Sequence, residues 1–178
     1  MWPVNHGPRP TLRTEPFDIR LVRQTTAHAE GLFAALSDPR IYQYLDEYPP
    51  ASVQAVEDRI KRLMVGGPPD RSEVWLNWSV FLGPTIIGYT QATIEHDHEA
   101  SIAYVLSPEV WGTGIAQRAT ELMIEELQSQ HSIAQLTADT DQDNFASQGL
   151  LLRLAFAETH REGRDVFYRR DVTGAERG

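Results

Sequence analysis

The sequence predicts a mixed α/β protein, in which one sheet containing parallel and antiparallel strands is flanked by helices. Segments with the alternating apolar pattern of strands and segments with the helical period follow the order β-α-α-β-β-β-α-β-α-β-β. Three consecutive strands are separated by short turns, which favours antiparallel hairpins. A strand-helix-strand crossover follows them and predicts at least one parallel strand pair.

The first part of the chain supplies one strand and two helices. Residues 17–22 alternate apolar and polar side chains, as a half-buried strand does. Thr26 is a candidate cap for a first helix, which ends at Ser37-Asp38-Pro39. Ser52 is a candidate cap for a second helix, which the run Gly66-Gly67-Pro68-Pro69 stops.

The rest of the chain supplies the hairpins and the crossover. Residues 74–82 and 86–95 are rich in Val, Ile, Thr and Trp and predict a hairpin around Gly83-Pro84-Thr85. The later elements are predicted as a strand at 101–106, a helix with apolar positions from Ala116 to Leu127, a strand at 133–138, a helix at 144–154 and a last hairpin that turns near Glu162-Gly163.

Length and composition predict one domain over residues 17–172, with a flexible arm at 1–16 and a tail at 173–178. The chain has 178 residues, of which 41% are hydrophobic and 23% charged, as in ordinary globular proteins. No apolar run is long enough to span a bilayer, and the proline-rich start does not read as a secretory signal. The expected location is therefore the cytoplasm, with no membrane partner.

Cysteine content and charge exclude several classes of function. The chain has no cysteine, which excludes disulfides, thiolate zinc sites and a cysteine nucleophile. The formal net charge of −9 argues against nucleic-acid binding, since a basic surface is the usual footprint of that function. A negative field would attract cationic small molecules or basic peptides, or would serve only to keep the protein soluble.

The most informative stretch is residues 102–117, which run from a strand through a glycine loop into a helix. A helix N-terminus offers unpaired N–H groups, and glycines let main-chain amides close around an anion. The loop lacks the Gly-Lys-Ser/Thr of a Walker motif, and Gln117 stands where a dinucleotide fingerprint needs a third glycine. Taken alone, a Gly-x-Gly pair at a turn is more often ordinary turn chemistry than a ligand site.

Two blocks of the sequence resemble the GCN5-related N-acetyltransferase (GNAT) family, in its RimJ/RimL-type branch. The first block is Pro108-x-x-Trp111-Gly112-x-Gly114-x-Ala116, which is similar to the family's acetyl-CoA pyrophosphate loop. The second is Asn144-x-Ala146-Ser147 followed by a leucine-rich helix, which is similar to the family's Asn-x-Ala-Ser block, and Ala155 stands where the family's glycine usually ends that helix in a left-handed turn with positive φ. The resemblance implies a GNAT fold and transfer of an acetyl group from acetyl-CoA to a primary amine.

The resemblance also implies where acetyl-CoA would bind. Main-chain groups near Val105 and Leu106 would pair with the pantetheine arm in a V-shaped gap between two splayed strands. Asn144 would hydrogen-bond the arm from the other side, unless it only caps its own helix. The main-chain amides of the loop and of the first helical turn would hold the diphosphate, and the side chain of Trp111 would pack beneath the loop. The residues of this cofactor-binding segment are Trp111, Gly112, Thr113, Gly114, Ile115, Ala116 and Gln117.

The catalytic groups are less well marked. Leu151 stands where many family members carry the tyrosine that protonates the leaving thiolate, so Ser147 is the substitute acid that the resemblance implies. An ordinary hydroxyl bonded to its own helix is an equal alternative for Ser147. Glu95 and Glu99, together with His98, are candidate bases at the hairpin turn. The cluster His96-Asp97-His98-Glu99 is more typical of a solvated loop than of a metal site, so no metal is expected.

The acceptor, the amine that receives the acetyl group, is expected beside the segment that joins the first two helices. Tyr44 in that segment, with the acidic Asp46 and Glu47, could bind a cationic amine or form an ordinary surface loop. Asn77 and Gln91 are the polar strand positions that could line the cleft. The acceptor is a small-molecule amine or the N-terminus of a peptide. The alternative is a CoA-binding module that has lost turnover, and both a monomer and a homodimer are open.

Overall fold

The computed structural model describes residues 18–95 and 98–172. The predicted arm at 1–16, the tail at 173–178, Phe17, and His96 and Asp97 of the polar turn lie outside the described residues. Among the described helices, none is long and apolar enough to cross a membrane.

The seven strands that the structure describes form one sheet in the order β1-β2-β3-β4-β5-β7-β6. All neighbouring pairs are antiparallel except β4 and β5, which are parallel as the crossover predicts. The strands are β1 (Ile19–Arg23), β2 (Val74–Leu82), β3 (Thr85–Ile94), β4 (Glu99–Leu106), β5 (Gln135–Asp141), β6 (Ala157–Glu162) and β7 (Asp165–Asp171).

Within the described residues, four α-helices lie on the two faces of this sheet: α1 (Ala29–Leu36), α2 (Val53–Leu63), α3 (Ile115–His131) and α4 (Phe145–Arg153). The predicted cap at Ser52 is confirmed, since its Oγ accepts a hydrogen bond from the N–H of Ala55 at 3.1 Å. Thr26 is not a cap. It begins a 3₁₀ turn, Thr26–His28, that leads directly into α1, so the chain tightens before the helix and needs no capping hydroxyl there.

Helices cover the sheet on both faces, and each face has its own apolar core. The α3 face is the face packed against α3 and α4, with Trp78, Ile102, Leu136 and Leu151 buried there. The α1 face is the face packed against α1 and α2, with Tyr89 and the partly buried Val105 among its contacts. Successive side chains of a strand alternate between these two faces.

Strands β4 and β5 separate after a short paired segment. Their parallel ladder holds only three residue pairs, which end at Ser101 opposite Thr137. The ladder between β3 and β4 continues to Leu106, so β4 itself stays extended. Residues 102–106 of β4 and 138–141 of β5 therefore border a wedge-shaped opening, which we call the gap. This is the splayed geometry that the resemblance predicts.

Ala155 ends α4 in the left-handed conformation, with φ of 62°. The N–H of Phe156 donates to the carbonyl of Leu151 and that of Ala155 donates to Leu152, both at 3.0 Å. This pattern is the Schellman ending, in which glycine is the preferred residue because it has no Cβ. The positive φ that the sequence predicts for Ala155 is confirmed.

Ala155→Gly is expected to stabilise the protein by about 1 kcal/mol, because glycine adopts this backbone conformation without strain. For a chain of this size the melting temperature should rise by roughly 2–4 °C in a thermal denaturation experiment. Ala34→Gly is the matched control, because Ala34 is exposed within α1, where glycine should lower the melting temperature. A fall in both variants would contradict the role of strain at residue 155.

Candidate functional site

One side of β4 presents main-chain groups to the gap, and alternation along the strand decides which ones. The N–H of Ser107 donates to Ile87 of β3 at 2.8 Å, so Ser107 and every second residue before it face β3. The carbonyl of Val105 accordingly lies against Gly88 of β3. The prediction that Val105 offers main-chain groups to the gap is therefore wrong in register. Tyr104 and Leu106 face the gap.

The glycine loop at the wide end of the gap leaves its amides accessible. Gly112 and Gly114 have φ of 71° and 85°, and nothing lies within 4 Å of the position that a Cβ would occupy on either residue. Gly114 is the N-cap of α3. The N–H groups of Ile115, Ala116 and Gln117 follow it and have no carbonyl one turn earlier to pair with. These amides and the helix dipole make an anion-binding corner.

Side chains of the loop hold it in place. The indole N–H of Trp111 donates to the carbonyl of Leu106 at 2.9 Å, and the Oγ of Thr113 donates to the carbonyl of Val110 at 2.6 Å. Trp111 is 50% exposed, so at most part of its side chain packs beneath the loop. The indole satisfies a carbonyl that the splayed strand leaves without a ladder partner. Gln117 directs its side-chain amide to Glu121 at 3.0 Å, leaving its main-chain N–H for the corner.

The N-terminus of α4 lies across the gap from β4. Asn144 caps this helix, because its Oδ1 accepts the N–H of Ser147 at 3.1 Å. The hydroxyl of Ser147 lies 2.8 Å from the hydroxyl of Tyr104. Leu151, one turn further on, is only 1% exposed and belongs to the core. The predicted acid Ser147 thus has a second hydroxyl as its partner, and the two face each other on the α3 face of the gap.

Burial raises the pKa of Tyr104 to about 12, and the hydrogen bond with Ser147 acts in the opposite direction. The phenol is therefore protonated at neutral pH and can donate a hydrogen bond to Ser147. A serine that accepts this bond keeps its own proton free for another acceptor. The pair can therefore deliver a proton from the α3 face.

The candidate bases lie on the α1 face, but at different distances from the gap. Glu95 and Glu99 pair at the β3–β4 turn, where the N–H of Glu95 donates to the carbonyl of Glu99 at 3.0 Å. This is the closed end, where β4 and β5 still pair. Asp139 follows the last paired residue of β5, Thr137, by two positions on the same face, and so borders the gap. Burial, and then the charge of Asp165, raise the pKa of the Asp139 carboxyl.

Two cavities open on the α1 face and contain the predicted acceptor residues. A cavity of about 310 Å³ includes Tyr44 and Asp46 from one side and Asp141, Arg164 and Asp165 from the other. A smaller cavity of about 130 Å³ is lined by Leu63, Trp75, Asn77, Gln91, Ala92 and Thr93. Tyr44 is therefore in a different cavity from Asn77 and Gln91, which are directly opposite each other on β2 and β3.

Family comparison agrees with the geometry of the gap and the glycine loop. The sequence profile described as "Acetyltransferase (GNAT) domain" matches residues 18–157. The chain belongs to the GNAT family of acetyltransferases. The membership and the mixed sheet that the sequence predicts are thus confirmed, and the protein is an acyltransferase.

Several known proteins are similar to this GNAT acetyltransferase. A curated relative, the "Uncharacterized N-acetyltransferase YoaA" of Bacillus subtilis (strain 168), is 24% identical over 152 residues, covering 83% of this chain and 82% of its own. The structure of the ribosomal L7/L12 alpha-N-protein acetyltransferase RimL with coenzyme A superposes with a TM-score of 0.75 at 17% identity, covering 90% of this chain and 97% of that one.

The microcin C7 self-immunity acetyltransferase MccE, in complex with acetyl-CoA and AMP, superposes with a TM-score of 0.73 at 18% identity. It covers 90% of this chain and 94% of its own. At these identities both solved structures show likeness of fold alone.

Two residues that border the gap escaped the sequence analysis, each for a physical reason. Tyr104 reads as a core strand residue, and only the fold brings Ser147 of α4 to its hydroxyl. Alternation along β4 could have placed Tyr104 beside the gap, had the register been known. Asp139 looks like any polar strand residue, because its raised pKa depends on burial and on Asp165 of β7.

No group of three or more metal-binding side chains occurs among residues 18–95 and 98–172. His96 and Asp97 of the predicted polar turn are not among them.

Proposed function

We propose that this GNAT enzyme transfers the acetyl group of acetyl-CoA directly to a primary amine, either of a small molecule or of a protein N-terminus. The observation that carries the proposal is the gap between β4 and β5, which ends at an N-cap glycine with accessible helix amides. The similar folds of RimL, in complex with coenzyme A, and of MccE, in complex with acetyl-CoA and AMP, support the choice of acyl donor.

The amides of the loop and of the first turn of α3 bind the diphosphate of the donor. Main-chain groups of Tyr104 extend the sheet toward the pantetheine arm, as a strand edge does with an added strand. From Leu106 to Ile102 the edge spans about 13 Å at 3.3 Å per residue, so the arm brings the thioester to the narrow end of the gap. The N–H groups of Ile102 and Tyr104 lie there and receive the developing oxyanion.

Acid and base act from opposite faces of the sheet. The amine nitrogen attacks the thioester carbonyl carbon, the carbon–sulfur bond breaks, and the sulfur receives a proton. Ser147 supplies that proton from the α3 face, Tyr104 replaces it through their hydrogen bond, and Tyr104 takes up a proton from solvent in turn. Asp139 takes the proton of the attacking amine on the α1 face. Separate groups suit the reaction, because the proton leaves nitrogen on one side and reaches sulfur on the other.

The acceptor amine enters through the larger cavity. Asp46, Asp141 and Asp165 border that cavity and attract a cationic amine, in keeping with the net charge of −9. Arg164 neutralises part of this charge, since it pairs with Asp141 at 2.9 Å. Asp139 and Asp165 keep their negative charge near the gap, and a free alkyl amine near pKa 10 arrives protonated. The cavity therefore selects the charged form, which loses one proton to solvent before it attacks, and Asp139 takes the second proton as the bond to the carbonyl carbon forms.

The proposal is tested by mixing the purified protein with acetyl-CoA and a panel of primary amines and peptides, and by measuring release of the free CoA thiol. Amine-dependent thiol release supports the proposal. The alternative is a CoA-binding module without turnover, suggested by Leu151 at the position of the usual acid. Stabilisation by acetyl-CoA in a thermal-shift assay without thiol release from any amine would favour that alternative.

Asp139→Asn is expected to lower kcat/KM for the amine by about 100-fold or more, because a general base contributes at least that factor. The same change should raise the melting temperature at pH 7. A raised pKa means that the charged form of Asp139 disfavours the folded state, so the gain is present at neutral pH and disappears as the wild-type carboxyl becomes protonated in acid.

Glu95→Gln and Glu99→Gln are the matched controls for Asp139→Asn, because they remove the carboxylates that the sequence predicts as bases. Both should leave kcat/KM within about twofold of the wild type, as surface carboxylates outside the reaction do. A large loss in Glu99→Gln with full activity in Asp139→Asn would return the role of base to the hairpin turn.

A further inference from the structure

A row of three carboxamides crosses the α1 face beside the reaction centre. Asn77 of β2 and Gln91 of β3 are directly opposite each other. Gln24 follows β1 and continues the same register, since its N–H donates to the carbonyl of Asn77 at 3.0 Å. Arg23, one position earlier, stacks over Trp78 on the α3 face, so Gln24 falls on the α1 face with the other two. We call Gln24, Asn77 and Gln91 the amide row.

The amide row lacks the hydrogen bonds that buried amides usually make. Gln24 is 6% exposed, and both its Oε1 and its Nε2 are buried without a partner in the described part of the chain. Asn77 is 7% exposed. Within the described residues, the side chains of Asn77 and Gln91 form no hydrogen bond with another residue. A buried amide without a partner disfavours folding. Gln24 is such an amide, and Asn77 and the partly exposed Gln91 lie beside it on the same face, which points to a polar ligand.

The cavity beside the row suits an uncharged group. Asn77 and Gln91 line the 130 Å³ cavity with Leu63, Trp75, Ala92 and Thr93, and none of these six side chains carries a charge. The indole N–H of Trp75 is already donated to Glu73 at 2.8 Å, so the ring offers an apolar wall. Carboxamides both donate and accept hydrogen bonds, which matches another amide in both directions.

Small side chains connect this cavity with the gap. Ala103 of β4 is opposite Gln91, and Ser101 is opposite Thr93. Both are partly exposed on the α1 face, and Ser101 is also the last residue of β4 that pairs with β5. Strands lie about 4.8 Å apart, so the cavity lies about 10 Å from the narrow end of the gap, where the amine reacts.

We propose that the amide row and its cavity bind an uncharged amide of the acceptor, about 10 Å from the amine that is acetylated. The inference rests on the proposed transfer to an amine and adds a second point of recognition to it. A peptide backbone and the amide of a small molecule share this chemistry. The amide row thus favours extended acceptors whose end opposite to the reacting amine is uncharged. Compact amines and amines with two charges are disfavoured.

The experiment compares three amines as acceptors: triglycinamide, the mono-N-acetyl derivative of 1,6-diaminohexane, and an unbranched alkylamine of the same length. The kcat/KM of the wild-type enzyme should be about tenfold higher for the two amide-containing acceptors than for the alkylamine. One well-placed hydrogen bond contributes about this factor. Gln91→Leu and Asn77→Leu should each remove that preference. The kcat/KM for the alkylamine and the KM for acetyl-CoA should stay unchanged in both variants. A preference confined to triglycinamide would identify a peptide backbone as the source of the amide.

Gln130→Leu is the control, because Gln130 is exposed on α3. If the melting temperature of Asn77→Leu falls, the result for Gln91→Leu decides the test, because Gln91 is partly exposed. Equal kcat/KM for all three amines, or an equal loss for all three in Gln91→Leu, overturns the inference and leaves the proposed function standing. Failure of the wild type to acetylate any amine, by contrast, would remove the proposed function itself.

Discussion

Gly114→Glu is expected to abolish the stabilisation of the protein by coenzyme A. A ligand present at about 100 times its Kd stabilises the folded state by about 2.7 kcal/mol, which corresponds to a rise in melting temperature of roughly 5–10 °C in a chain of this size. The variant directs a carboxylate into the corner where the helix amides would meet the diphosphate. Like charges and lost space together should reduce the thermal shift to near zero.

Gly66→Glu separates this effect from backbone strain. Gly66 has φ of 82°, close to the 85° of Gly114, and neither residue has an atom within 4 Å of the position that a Cβ would take. Both variants therefore carry the same left-handed strain and the same added charge, and both should melt slightly lower without ligand. Only Gly114→Glu should lose the shift with coenzyme A. Loss of the shift in both, or in neither, would place the diphosphate elsewhere.

Much of this fold follows from patterns local in the sequence. The hairpin of β2 and β3, the cap at Ser52 and the glycine-led start of α3 each depend on a few neighbouring residues, and the structure has them as predicted. The positive φ of Ala155 was predictable for the same reason, because a leucine-rich helix ends where the family pattern has glycine.

Pairings between distant strands and helices were not predictable in this way. The register of β4 decides whether Val105 or Tyr104 faces the gap, and a shift of one residue exchanges them. The partner of Ser147 is 43 residues away along the chain, and the raised pKa of Asp139 depends on Asp165 of β7. Residue types suggested where the cofactor corner lies, whereas the acid and base depend on contacts that only the folded chain brings together.

Ser147→Ala is expected to lower kcat by about 100-fold or more, because it removes the hydroxyl that protonates the leaving thiolate. The helix should remain capped, since Asn144 bonds to the main-chain N–H of Ser147 and not to its hydroxyl. Melting temperature, the thermal shift with coenzyme A and the KM for acetyl-CoA should therefore stay close to wild type. Steady-state kinetics and thermal shift together measure these quantities.

Two further variants decide whether Ser147 acts chemically or only as part of α4. Tyr104→Phe keeps the ring and removes the hydroxyl 2.8 Å from Ser147, so it should lower kcat by about tenfold, the value of one hydrogen bond to a reacting group. Ser129→Ala removes a hydroxyl that bonds within its own helix at 3.3 Å and should leave kcat unchanged. If Ser147→Ala behaves like Ser129→Ala, the thiolate leaves without help from α4. The buried pair then serves packing alone, and the proton comes from solvent through the open side of the gap.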